Sequence, residues 1–282
     1  MNSNINIAIQ IILFLFIKTM KNIGAIVNIT YFILITVIII LGTLLIYKDT
    51  DKIQNVYLIN LKRRPDRLRL FLESYDQCGL KQKHLTKFNA VDGGTLDIST
   101  VPLTSLAILE LKQLETIGFR YKHYQLTKGA IGCYLSHVKV WENIIASGKN
   151  SAFIFEDDAR PPPNFKHLVN KEMMHIPEDW DIVLFGKHCY DCEDKGKYVK
   201  VNRFILLHGY MISKRGILKI FNEKNLFPIS QQLDAYLSEI SNILNIYSPK
   251  NNLVFQSESR TDIQAPIVKH SLNNARNVLE SK

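Results

Sequence analysis

The chain has 282 residues, a formal net charge of +9 and 46% hydrophobic residues. That suffices for one α/β domain with appendages, and the basic balance suits phosphorylated ligands, an anionic membrane surface or nucleic acid. No helix-turn-helix, zinc-finger or RNA-recognition pattern accompanies the scattered Lys and Arg, which argues against a nucleic-acid partner, and four cysteines are too few for a disulfide scaffold.

The first 17 residues are uncharged and mostly apolar, and Lys18 and Lys21 follow them. Asn22 to Tyr47 then carries no charge and is rich in Ile, Leu and Val. A bilayer core takes roughly 20 helical residues, so about 23–47 is expected to be a transmembrane helix. Residues 1–50 thus form a hydrophobic region with a single-pass membrane anchor. The globular part is expected on the non-cytoplasmic side, although Lys and Arg are nearly balanced on the two flanks.

A globular domain is expected over 51–265 and a polar tail over 266–282. Val56-Tyr57-Leu58-Ile59 reads as a first strand. Asn60 to Arg67 is a basic turn, with Pro65 placed to open a helix that Gly79 ends. Such a turn reads equally as an anion site, built from helix N-terminus and arginine forks, or as a solvated loop. Phe88 to Gly94 reads as a second strand and a glycine turn, with Asp92 at its carboxyl end. Residues 95–127 are irregular and partly helical. From Lys128 to Ile145 apolar residues recur at helical spacing; His137 in that run reads as a packing residue.

Ala152 to Phe155 is a fully apolar run that leads straight into Glu156-Asp157-Asp158, and Pro161-Pro162-Pro163 stops the ladder. Open α/β sheets hold ligands at the carboxyl ends of their strands. Adjacent carboxylates there repel unless a cation joins them, so a divalent metal carrying a phosphorylated ligand is the expected partner. Side chains alternate along an extended chain, which puts Glu156 and Asp158 on one side and Asp157 on the other.

Further on, Asn164 to Met174 is helical, and Trp180 to Gly186 and Phe204 to Ile212 are strands. Ser213 caps a helix, and Ser230 to Leu237 opens another with Asp234 in its first turn. Ile246 to Pro249 is a short strand and turn, and the segment from Val254 onward reads as loosely ordered. Cys189 and Cys192 form a C-x-x-C with no second pair, for which free thiols are the default.

Eight stretches together carry a resemblance: VYLINLKRRPDR, FNAVDG, GAIGCYLSHVKVWENI, AFIFEDDARP, DIVLFG, GYMISKRGILKI, LDAYL and VFQSESRTDIQ. In this order the chain resembles the glycosyltransferase family 25 enzymes, over most of 54–264. The resemblance implies an α/β domain of GT-A type, with a mixed, mainly parallel sheet that binds a nucleotide sugar, and inversion at the anomeric carbon. It implies Mn²⁺ or Mg²⁺ on Glu156, Asp157 and Asp158, and places Asn60, Arg63, Arg64 and Asp92 near the nucleotide. Asp234 matches an acidic family position and is the first candidate for the base, with His208 in reserve; Asp262 also matches, without an assigned role. The family-level donor is the uridine diphosphate of galactose. The acceptor stays open between a glycan, a glycolipid and a hydroxylysine-bearing protein.

Two rivals stand beside this reading. A glycoside hydrolase needs paired carboxylates roughly 5–9.5 Å apart across a sugar, which neighbours on one strand supply poorly. A catalytically inactive, membrane-anchored glycan- or partner-binding protein on the same fold is the second.

Overall fold

The computed structural model describes residues 31–41, 53, 55–120, 125–257 and 261–263. The chain divides between Lys52 and Ile53. Before that boundary, residues 31–41 are helical, and most of their large apolar side chains are exposed, Tyr31 to Leu34 among them. The rest of the expected span, 23–30 and 42–47, lies outside the described residues, as does the 266–282 tail. Among the described residues, no helix is long and apolar enough to cross a membrane.

Beyond Lys52 the first strand, β1 (Val56–Asn60), is buried at all five positions. Helix α1 (Pro65–Gln77) starts at Pro65 and buries Arg67, Phe71 and Tyr75, a stripe with a period of four. Strand β2 (Leu85–Asn89) lies N-terminal to the expected position. In the stretch that the sequence left unplaced, Thr104 caps helix α2 (Ser105–Ile117), and Gly118 ends it with φ +80°. Thr127 caps α3 (Lys128–Ala146). Then come β3 (Ser151–Glu156), β4 (Ala159–Arg160), helix α4 (Phe165–Met173) and β5 (Ile182–Leu184). A hairpin follows, β6 (His188–Asp194) and β7 (Tyr198–Ile205), then β8 (Gly209–Ser213). Ser213 caps helix α5 (Lys214–Asn222), its Oγ accepting from the Gly216 N–H at 3.0 Å. Helix α6 (Leu233–Glu239), β9 (Ile246–Pro249) and β10 (Phe255–Gln256) complete the order.

Eight strands form one sheet in the order β2-β1-β3-β8-β5-β9-β7-β6. The sheet is mixed: β1 pairs in parallel with β2 and β3, and β5 with β9, while the other pairings are antiparallel. Followed across the sheet, these pairings leave only β8 and β7 running against the rest. Alternation along the strands divides the core. Tyr57, Ile154, Leu184 and Tyr210 pack with α3, α5 and α6 on one face. Leu58, Phe153, Phe155 and Val183 pack with α1 and α4 on the other. Both faces are covered, which is why β1 and β3 read as unbroken apolar runs.

Three expectations change. The strand over Phe204 to Ile212 is broken: Leu206 takes φ +76°, and the chain passes from β7 beside β9 to β8 between β3 and β5. An apolar run cannot reveal such a change of partners. The segment after Val254 is in part ordered, because Val254 is fully buried and β10 pairs with β4. Cys189 and Cys192 are not free thiols but a disulfide within β6.

Candidate active site

The carboxyl ends of β1 and β3 lie side by side, since Ile59 pairs with Glu156. At the end of β1, Asn60 is 4% exposed, and its Nδ2 donates to Asp157 Oδ2 at 2.8 Å and to the Arg64 carbonyl at 3.2 Å. Arg67 is buried on α1; its Nη1 donates to Asp157 Oδ1 at 2.9 Å and lies 3.6 Å from Asp158 Oδ2. Both oxygens of Asp157 are therefore engaged by protein. Asp158 Oδ2 accepts from Gln256 Nε2 at 3.0 Å, but its Oδ1 is buried without a hydrogen-bond partner.

Glu156 faces α3. His137 is fully buried there; its Nε2 lies 3.1 Å from Glu156 Oε1, and its Nδ1 is 2.8 Å from the Tyr210 hydroxyl. Trp141 Nε1 donates to that hydroxyl at 2.9 Å. Indole N–H is only a donor, and the Tyr210 proton is then directed at His137 Nδ1. His137 thus presents Nε2–H to the Glu156 carboxylate. The packing role read from sequence holds, and the ring also lines the cleft.

Burial pushes Asp158 up to about 7, with help from the neighbouring Glu156 charge. Burial alone would raise Glu156 too, but the His137 hydrogen bond and the nearby Arg67 charge hold it low. Two carboxylates with one residue between them thus differ in proton affinity: the His137 donor outweighs burial at Glu156, whereas at Asp158 the Gln256 amide does not outweigh burial and the Glu156 charge.

Glu156 and Asp158 line a cleft of about 250 Å³ together with Asp234 and Cys133. A smaller hollow beside it is lined by Arg63, Asp92, Asp157 and Asp262, and shares Arg67, His137 and Glu156 with the first. Asp234 accepts from the N–H of Leu206 at 3.1 Å and of Ala235 at 2.9 Å, while burial raises its pKa. The left-handed Leu206, a strained conformation for a side chain with a Cβ, is thus held by the candidate base. His208 lines neither hollow; it is 3% exposed, with Nε2 3.2 Å from the Val254 carbonyl, and burial lowers its pKa.

Arg63 is forked between Asp92, at 2.6 Å from Nε, and Asp262, at 2.6 Å from Nη1. Arg64 pairs with Asp66 and with Asp262. Asp262 therefore joins two arginines of the basic turn, and their bonds hold its pKa low against the effect of burial. Gly129 makes room for this: a Cβ there would meet the Asp262 carbonyl at 2.3 Å.

Sequence reasoning missed Arg67 and Gln256. Arg67 left a signal, because a charged residue four before Phe71 and eight before Tyr75 sits on the helix's core stripe. Gln256 left none. The cluster fits a divalent cation through the unpartnered Asp158 Oδ1 and through Glu156, both hard oxygen donors. Asp157 fits less well, being saturated by Asn60 and Arg67. Cys133, His137 and Glu156 also bring ligand atoms within 4.8 Å of one another, although thiol and imidazole suit softer metals than Mn²⁺ or Mg²⁺.

Residues 53–235 match the family described as Glycosyltransferase family 25 (LPS biosynthesis protein). The chain belongs to glycosyltransferase family 25. Among its relatives is a glycosyltransferase 25 family member of Aedes aegypti, 31% identical over 198 residues, covering 66% of this chain and 31% of that protein. Procollagen galactosyltransferase 1 of Danio rerio is 31% identical over 201 residues, 66% of this chain and 32% of its own. Procollagen galactosyltransferase 2 of Homo sapiens is 28% identical over 208 residues, 70% of this chain and 32% of its own. The chain thus matches about a third of the length of these family 25 relatives.

Proposed function

We propose that this chain is a glycosyltransferase that moves a hexose from a nucleoside diphosphate to an acceptor hydroxyl. The observation that carries the reading is the shared cleft: Asp158, with a buried free oxygen, and Asp234, with a raised pKa, line the same space at the carboxyl end of β3. Galactose is the sugar that the relatives' names support; its uridine diphosphate is the donor of this proposal, and a GT-A type arrangement with inversion is the matching mechanism. The alternative is an inactive binding protein on the same fold, which the unspent Asp158 oxygen disfavours.

Asp158 and Glu156 would hold Mn²⁺ or Mg²⁺, which supplies charge neutralisation for the departing diphosphate. Asn60 and Arg67 fix Asp157 and orient the turn that presents Asp158. Arg63 and Arg64 are paired with Asp92, Asp66 and Asp262, and would meet the diphosphate by exchanging one of those carboxylates for a phosphate. Asp234 takes the proton from the attacking hydroxyl, its carboxylate oriented by two backbone N–H groups and made more basic by burial. Leu206 and Leu233 give the cleft an apolar wall beside Asp234. We also place the chain at a membrane as a single-pass protein, on the strength of the uncharged apolar run over about 23–47.

The test is release of nucleoside diphosphate by the full chain in detergent, from a panel of nucleotide sugars with and without Mn²⁺. Metal-dependent release from one donor, lost in Asp158→Ala, supports the proposal. Donor binding without turnover across an acceptor panel supports the binding protein.

A further inference from the structure

We infer that the β6–β7 hairpin and helix α6 form a saccharide subsite for the acceptor, with Tyr190 as its platform. This rests on the transferase reading and adds the acceptor's chemical class: a glycan, bound through a sugar ring.

A second cavity, of about 370 Å³, is lined by Tyr190, Arg203, Gln231, Ser238 and Glu239. It adjoins the cleft that holds Asp234. Gln231 and Ala235 line the cavity, while Gln232 and Asp234 line the cleft. Ile205 and Leu206 divide in the same way. Consecutive Cα atoms are about 3.8 Å apart, so one thin wall separates the cavity from the cleft that holds the candidate base. Ser238 secures that wall, exchanging hydrogen bonds of 3.1 Å with the N–H and carbonyl of Phe204.

The Tyr190 ring is 53% exposed yet held in place. It meets His188 edge-on, with ring centroids 4.9 Å apart and planes at 78°. Tyr190 and Asp191 are the two residues between the bonded Cys189 and Cys192, and the strand is bulged there. A bulge re-aims a side chain, and the disulfide fixes the bulge. An exposed aromatic face, held rigid beside polar groups, is the usual platform for the C–H face of a sugar. Arg203 donates and Glu239 accepts, while Gln231, whose amide N–H already donates to Glu239, offers its carbonyl, which matches hydroxyls that both donate and accept.

The experiment is saturation-transfer NMR of the full chain in detergent with lactose, methyl β-galactoside and N-acetyllactosamine, and with free hydroxylysine as the non-saccharide probe. Wild type and Tyr190→Phe should bind at least one saccharide, and Tyr190→Ala should weaken that binding about three- to tenfold. Its unfolding midpoint should match that of wild type. Binding of no saccharide, equal binding by Tyr190→Ala, or preference for hydroxylysine over every saccharide would overturn the subsite. Donor turnover is read separately on wild type: Tyr190-dependent saccharide binding without nucleoside diphosphate release from any donor leaves the subsite standing and removes the transferase reading.

Discussion

Arg67 and Asp157 form an ion pair of 2.9 Å in which each side chain is only 7% exposed. A pair so buried adds little net stability over an apolar equivalent, but removing one partner strands the other. Arg67→Met should therefore destabilise the domain by about 3–5 kcal/mol, read by urea unfolding. Arg67→Met/Asp157→Asn, which removes both charges and keeps an acceptor for Asn60, should recover much of that loss. An Arg67→Met variant as stable as wild type would show that Asp157 has another partner.

Asp234→Asn should leave donor binding intact and lower turnover by about 10²–10⁴-fold, the range for loss of a positioned base. The acid limb of the kcat profile should fall above the ordinary carboxylate range, since burial raises Asp234 and the base must be ionised to act. A limb at the usual carboxylate pKa would move the base elsewhere.

Asp158 links metal, pH and stability. Its folded pKa, about 7, exceeds the unfolded value near 3.8, so between those values the folded state binds more protons than the unfolded one. Metal-free stability should decline as pH rises through that window, by up to about 4 kcal/mol, and be lowest above pH 7. Asp158→Asn should flatten the dependence. Mn²⁺ should raise the unfolding midpoint more at pH 8 than at pH 5, because the ligand must lose its proton to bind. Differential scanning fluorimetry across pH reads all three effects, and equal Mn²⁺ shifts at both pH values would remove Asp158 from the ligand set.

Gly129→Ala should displace the segment at Asp262, whose carbonyl a Cβ would meet at 2.3 Å. Overpacking of this kind costs typically about 1–3 kcal/mol. Donor affinity should change with it, as Arg63 and Arg64 lose their shared carboxylate. Gly148→Ala, with open space around it but φ +67°, should cost stability alone. Isothermal titration with the nucleoside diphosphate, beside thermal unfolding, separates the two.

Much of the site was readable residue by residue. The end of the apolar run at Phe155 marked a buried strand with carboxylates at its ligand-binding end, and Pro65, Gly79 and Ser213 punctuate helices as their chemistry predicts. The hairpin β6–β7 was not readable: its edge strand is mostly polar and exposed, with no burial pattern to betray it. Nor could the break at Leu206 be seen, because residues on both sides are apolar.

Local chemistry alone determined where β1, β3 and several helices begin, which carboxylates cluster, and that the first 50 residues differ from the rest, since these depend on neighbours a few positions apart. Only the tertiary structure decided how those carboxylates divide their work. Asp157 is spent on Asn60 and Arg67, Glu156 is held by His137, and Asp158 keeps a free oxygen. Asp262 reaches Arg63 across 199 residues, and Gln256 reaches Asp158 across 98. Proton affinity and free valence at a buried carboxylate are set by the donors that surround it in space, and here most of those donors come from distant parts of the chain.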